Sequence, residues 1–171
     1  MEAEATIIDQ IAALPTITIE DVEYTGPYFA MLLSLRESPE EEARRSPQLV
    51  AELGRLHSMA NRLWKEADLN YRRWRDDILY RATNSIEEAI SMGFSCASSP
   101  GTDARGNQKP AKLPSMSQAE AYVRQLEGYH QHQTLILQRE EAEKTVAAAL
   151  DAAKQRTWSS RIISDYHHHT A

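Results

Sequence analysis

The chain has 171 residues, of which 42% are hydrophobic and 26% charged. That is enough apolar material for a core in one domain and too much for wholesale disorder. The formal net charge of −6 speaks against a dedicated nucleic-acid binder, and a lone cysteine, Cys96, excludes an intrachain disulfide or a thiolate cluster for a metal. No apolar run approaches the ~20 residues that span a bilayer, and an acidic start (Met1, Glu2, Ala3, Glu4) is wrong for a signal or transit peptide. The expectation is a protein of a reducing cytoplasm with no membrane partner.

The acidity is local. Residues 1–46 hold ten acids against three bases, a net of −7, which leaves +1 for everything from Pro47 onward. The first 46 residues therefore read as an acidic N-terminal segment with short helices. Ile7, Ile8, Ile11 and Leu14 have the spacing of an amphipathic helix halted at Pro15. Thr18-Ile19-Glu20-Asp21 has capping-box chemistry and predicts a second short helix, ended by Gly26 and Pro27. Ser38-Pro39 followed by Glu40 and Glu41 offers another helix start, repeated at Ser46-Pro47.

From residue 47 to about 92 the pattern is one long helix. Leu49, Leu53, Leu56, Ala60, Leu63, Ala67, Tyr71, Trp74 and Ile78 recur in steps of three and four, a heptad-like seam continued less regularly by Ala82, Ile86, Ala89 and Ile90. At ~1.5 Å per residue such a helix is roughly 65 Å long. Leu69 and Leu79 project away from this seam and Trp64 flanks it, so they call for cover from the Tyr28–Leu33 segment or from neighbouring subunits. Residues 93–116 change to Ser, Pro, Gly and Asn chemistry and predict a loop. Ser117-Gln118-Ala119-Glu120 then opens a second helix, about 117–165, with one seam through Tyr122, Leu126, Tyr129, Gln133 and Ile136. A shifted seam continues through Ala142, Val146, Leu150, Ala153 and Thr157. Two long amphipathic helices joined by a loop predict an all-α fold: a coiled-coil-like antiparallel helical hairpin, with the short N-terminal helices packed on it.

Catalytic constellations are missing. There is no P-loop, no nucleophile-elbow motif and no zinc-protease motif. His130 and His132, two apart on a helix, point to different faces, and the tract at 167–169 has no fixed geometry for a metal. No catalytic residue, metal or cofactor is expected. One surface stands out. Arg62, Lys65, Arg72, Arg73, Arg75 and Arg81 are interleaved with Trp64, Tyr71, Trp74 and Tyr80 on the first long helix. Guanidinium groups beside aromatic rings suit phosphate binding with base stacking in single strands. Lys109 and Lys112 in the loop, with Arg105, form a second basic cluster. The rival reading makes Tyr71 and Trp74 core and the arginines a solvated face neutralised by Glu66, Asp68, Asp76 and Asp77.

Three stretches carry a family resemblance. The first runs from Ala67 through Tyr71, Arg72, Arg73, Trp74 and Arg75 to Arg81; the second runs from Lys112-Leu113-Pro114 to Arg124. The third is Gly128-Tyr129, followed by the alanine-rich helix through Ala153 and Arg156. In this arrangement residues 50–165 resemble the UvsY-like recombination mediators of phages. The resemblance implies a non-enzymatic accessory of recombination or replication that binds single-stranded DNA as a homo-oligomer and helps load a recombinase past a single-strand binding protein. It implies Arg72, Arg73, Arg75 and Arg81 as the DNA-facing groups. The acidic first 46 residues and the long loop depart from the family's pattern. A protein-binding helical module (a phage assembly chaperone, a scaffold or an inhibitor of a host defence complex) is the alternative.

Overall fold

A computed structural model describes residues 8–34, 39–98 and 101–170. The protein is mainly helical, as the periodicity predicts. A helical turn at 8–12 (α1) is followed by strands β1 (Ile17–Ile19) and β2 (Val22–Tyr24). Then come α2 (Gly26–Leu33), the long α3 (Pro39–Asn84), two short helices α4 (Ile86–Ser91) and α5 (Ser95–Ser98), α6 (Met116–Gln125) and the long α7 (Glu127–Thr170). Two compact units divide the chain: residues 1–65 with 137–171, and residues 66–136. Each unit takes part of α3 and part of α7.

In the first unit α3 and α7 run antiparallel. His57 Nε2 lies 2.9 Å from Glu143 Oε1, and Glu42 Oε1 lies 3.0 Å from Arg156 Nε, so one helix descends as the other climbs. Leu49, Leu53, Leu56 and Ala60 bury against Ala142, Val146, Ala149, Leu150 and Ala153; the alanines allow close approach of the two backbones. Phe29 and Leu33 of α2, together with Ile11, Ile17 and Ile19, close this core from the N-terminal side.

Local chemistry differs from the sequence expectation here in informative ways. The Thr18 segment is not a helix but a hairpin, with Ile17 opposite Tyr24 and Ile19 opposite Val22. Burying Ile17 and Ile19 while exposing Thr18 is a period of two, which only a strand satisfies. Glu20 and Asp21 form its two-residue loop with φ of 48° and 64°, the left-handed pair that a tight hairpin of matching twist requires. Gly26 and Pro27 start a helix instead of ending one. Thr25 caps it by accepting from Tyr28 N at 3.2 Å, and a Cβ on Gly26 would fall 2.6 Å from the carbonyl oxygen of Leu14. Nor does Ser46-Pro47 open a new helix: α3 runs through Pro47, and the buried Ser46 hydroxyl donates back to the Glu42 carbonyl at 2.9 Å. Ile7 and the expected cap Ser38 lie outside the described residues.

In the second unit the expected loop, 93–116, holds the short helix α5 and an ordered turn. α3 stops at Asn84, eight residues before the expected end, because Ser85 turns extended and caps α4 by accepting from Glu88 N at 3.2 Å. The segment between α5 and α6 carries a bridge between Thr102 and Gln108, closed by Gly106 at φ 80°. Asp103 organises it by accepting from Asn107 N at 2.8 Å and Arg105 N at 2.9 Å. Ser115, two residues earlier than expected, is the cap of α6, and its capping box is completed by Gln118. Extended backbone at Leu126 (ψ 139°) separates α6 from α7. Leu79, expected to need a neighbouring subunit or the Tyr28–Leu33 segment, is buried within this unit, clustered with Ala82, Ala119 and Val123 and packed by Ile78, Met92 and Phe94. Leu69 stays exposed.

Candidate nucleic-acid interface

The six cations expected along α3 fall into both units. In the first, Arg62 donates to Glu20 Oε1 at 2.6 Å, so the tight turn of the N-terminal hairpin carries the acid that neutralises it. Lys65 is exposed. Trp64 is half-buried.

In the second unit the α3 face is a mosaic of charges. Arg72 pairs with Asp68 one turn back at 2.7 Å. Arg75 donates through Nε and Nη2 to Asp76 Oδ1 at 3.1 and 2.8 Å, and these hydrogen bonds hold its guanidinium above its ordinary value. Arg81 reaches Glu88 on α4 at 3.0 Å and Asp77 at 3.5 Å; the hydrogen bonds to Glu88, above all, raise its pKa. Arg73 is exposed, and no carboxylate among the described residues pairs with it or with Lys65 within 4.0 Å. Surface pairs of this kind hold about 0–1 kcal/mol each, so a phosphate can displace a carboxylate at little cost. The displaced acids nevertheless stay nearby. Over residues 66–136 nine carboxylates accompany eight basic side chains.

The aromatic residues separate by depth. Tyr71 and Trp74 are half-buried and packed: their ring centroids are 6.2 Å apart, and His132 lies 5.9 Å from Tyr71 and 5.0 Å from Trp74. Trp74 also packs close to Gly128, where a Cβ would come within 2.8 Å of its ring. Both rings are thus engaged in packing within the unit while only half-buried. Tyr80, by contrast, is 68% exposed and is the ring free to stack on a base. Lys109 and Lys112 are exposed, with their backbone N–H groups tied to Gly101 O and Cys96 O at 2.9 and 3.2 Å. The segment thus offers its lysines from a fixed backbone. Sequence reasoning had not assigned a role to Arg124, which shares a cleft of about 80 Å³ with Tyr71, Arg75, Glu120 and Val123 between α3 and α6. Its position became legible only once α6 was placed beside α3.

Among the described residues no cluster of three or more His, Cys, Asp or Glu side chains is arranged to hold a metal ion. No helix among them is long and apolar enough to cross a membrane. No protein-family model, no curated protein and no solved structure matches the chain.

Proposed function

We propose that the protein is a non-enzymatic, phage-type accessory of DNA recombination or replication that binds single-stranded DNA as a homo-oligomer. The observation that carries this is the second unit's surface, where Arg72, Arg73 and the exposed ring of Tyr80 share α3 while Lys109 and Lys112 stand exposed on a structured segment. Phosphates would exchange with the weakly held carboxylates, and a base would stack on Tyr80. The acids left beside the arginines make the binding weak and strongly dependent on salt. A recombinase or a single-strand binding protein would be the partner for such an accessory. Polarisation titrations of a labelled single strand between 20 and 200 mM salt (about 0.02–0.2 M, a range over which screening changes severalfold) test the reading. A negative slope of log affinity on log salt is expected, near −0.7 for each phosphate neutralised. Absence of binding at low salt, or binding indifferent to salt, overturns it.

A second reading has its own observation. Four of the six α3 cations already have a carboxylate within 3.5 Å, which suits a protein-binding helical module better than a polyanion site. That module would be an assembly chaperone, a scaffold or an inhibitor of a host defence complex. It predicts a stoichiometric protein partner that survives nuclease treatment and no response to single strands.

A further inference from the structure

Within the second unit, the side of α3 turned away from Tyr71, Trp74, Ile78 and Ala82 carries a short stripe: Leu69, Arg73, Asp76 and Tyr80. The steps of four, three and four put these four side chains on one line along the helix. All four are exposed, and the two large apolar ones stay 46% and 68% accessible although the unit has buried Leu79. Nothing in this unit covers them.

The stripe is complementary to itself when reversed. About a two-fold axis between Trp74 and Arg75, position 69 of one chain stands level with position 80 of another, and 73 with 76. Leu69 then meets the Tyr80 ring. Arg73 lies on one side of the axis, at the height of Asp76 of the other copy. In a parallel pairing the same residues would set arginine against arginine and aspartate against aspartate. Charge complementarity therefore selects one occupant and one direction.

We propose that this face of α3 is the contact for a second copy of the chain, packed antiparallel, with Leu69 against Tyr80 and Arg73 against Asp76. The proposal rests on the homo-oligomer in the function given above and names its interface. The ion pair that Asp76 now makes with Arg75 on its own helix exchanges for one with Arg73 across the contact at little cost. A few helical turns bury an area at the low end of specific interfaces, well under about 1,200 Å², so the association is weak and concentration-dependent. Arg73 is covered in the pair, so a second copy and a DNA strand contend for it, whereas Lys109 and Lys112 stay available to the strand.

The test is a charge swap read by sedimentation velocity at low salt, with helicity checked by circular dichroism. Arg73→Glu alone and Asp76→Arg alone are expected to weaken self-association at least tenfold. Mixing the two single variants restores it, because each supplies what the other lost, and so does the double variant Arg73→Glu/Asp76→Arg. In a Cys96→Ser background, Leu69→Cys with Tyr80→Cys in one chain is expected to cross-link to a dimer under mild oxidation. Leu69→Cys alone does not, since two copies of position 69 stand about 16 Å apart along the axis. A wild-type chain that stays monomeric, swaps that fail to rescue, or cross-linking of Leu69→Cys to itself each overturns the interface. Strand binding by polarisation is measured on the same samples. A wild-type chain that binds the strand but stays monomeric refutes the interface alone, and one that pairs but binds no strand refutes the DNA reading alone.

Discussion

The buried pair Glu42–Arg156 gives the sharpest prediction about stability. Their side chains are only 6% and 12% exposed, and Arg156 Nε lies 3.0 Å from Glu42 Oε1 without hydrogen-bond alignment. Glu42 Oε2 and Arg156 Nη2 have no hydrogen-bond partner among the described residues. Two charges have thus been taken from water and are incompletely compensated. Deleting one leaves the other buried and alone, which costs about 3–5 kcal/mol, whereas replacing both by apolar groups of similar volume is neutral or stabilising by about 1–4 kcal/mol. Given the poor alignment here, Arg156→Met and Glu42→Leu singly are expected to destabilise by about 3 kcal/mol each. The double variant should come within about 1 kcal/mol of the parent or exceed it. Urea denaturation followed at 222 nm, at one protein concentration and with all four members of the cycle, measures this. Singles costing under about 1 kcal/mol, or a double variant as damaged as the sum of the singles, would refute the claim that the pair is a desolvated liability.

Three further outcomes follow from the same geometry. Leu53 is fully buried in the first unit's core, so Leu53→Ala should cost about 3–5 kcal/mol in the same denaturation assay. Gly128→Ala should destabilise despite the better helix former, by about 1–2 kcal/mol, since the added methyl meets the Trp74 ring at 2.8 Å; a rise in stability, or unchanged tryptophan emission, would show that the ring is not seated there. Asp103 has its carboxyl held below the ordinary aspartate value, mainly by the Asn107 N–H and then by that of Arg105. Its contribution to the turn is therefore complete above the ordinary aspartate value and is lost as pH falls through the lowered folded one. The amide resonances of Arg105 and Asn107 should move together across that window, and Asp103→Ala should abolish the movement.

The lysine Lys144 illustrates why not every charge on these helices bears on function. Its hydrogen bond to Glu140 at 2.6 Å, the leading cause of its raised pKa, is a pair one turn apart on α7, of the kind sequence spacing alone predicts. Arg156 looks no different in the sequence, yet it ends up buried against Glu42. Spacing along one helix tells which charges can meet on that helix. It says nothing of what the helix packs against.

That distinction also divides the fold. Periodicity was sufficient for the two long helices and for their inner faces, because a seam such as Leu49, Leu53, Leu56 and Ala60 repeats with the helix's own period whatever its partner. Local chemistry alone misassigned the Thr18 segment and the serine caps, where capping residues serve equally in turns and strands and tertiary burial decides. The arginine-rich surface of α3 was legible as composition. Which acid neutralises each arginine across elements, that Tyr71 and Trp74 are packed while Tyr80 is free, and that Leu79 is covered while Leu69 is not were all decided by how α4, α6 and the N-terminal hairpin fold back. The sequence by itself determined a helical hairpin carrying arginines among aromatic residues. Only the tertiary structure decided which of those side chains face water, because exposure depends on neighbours that are distant along the chain.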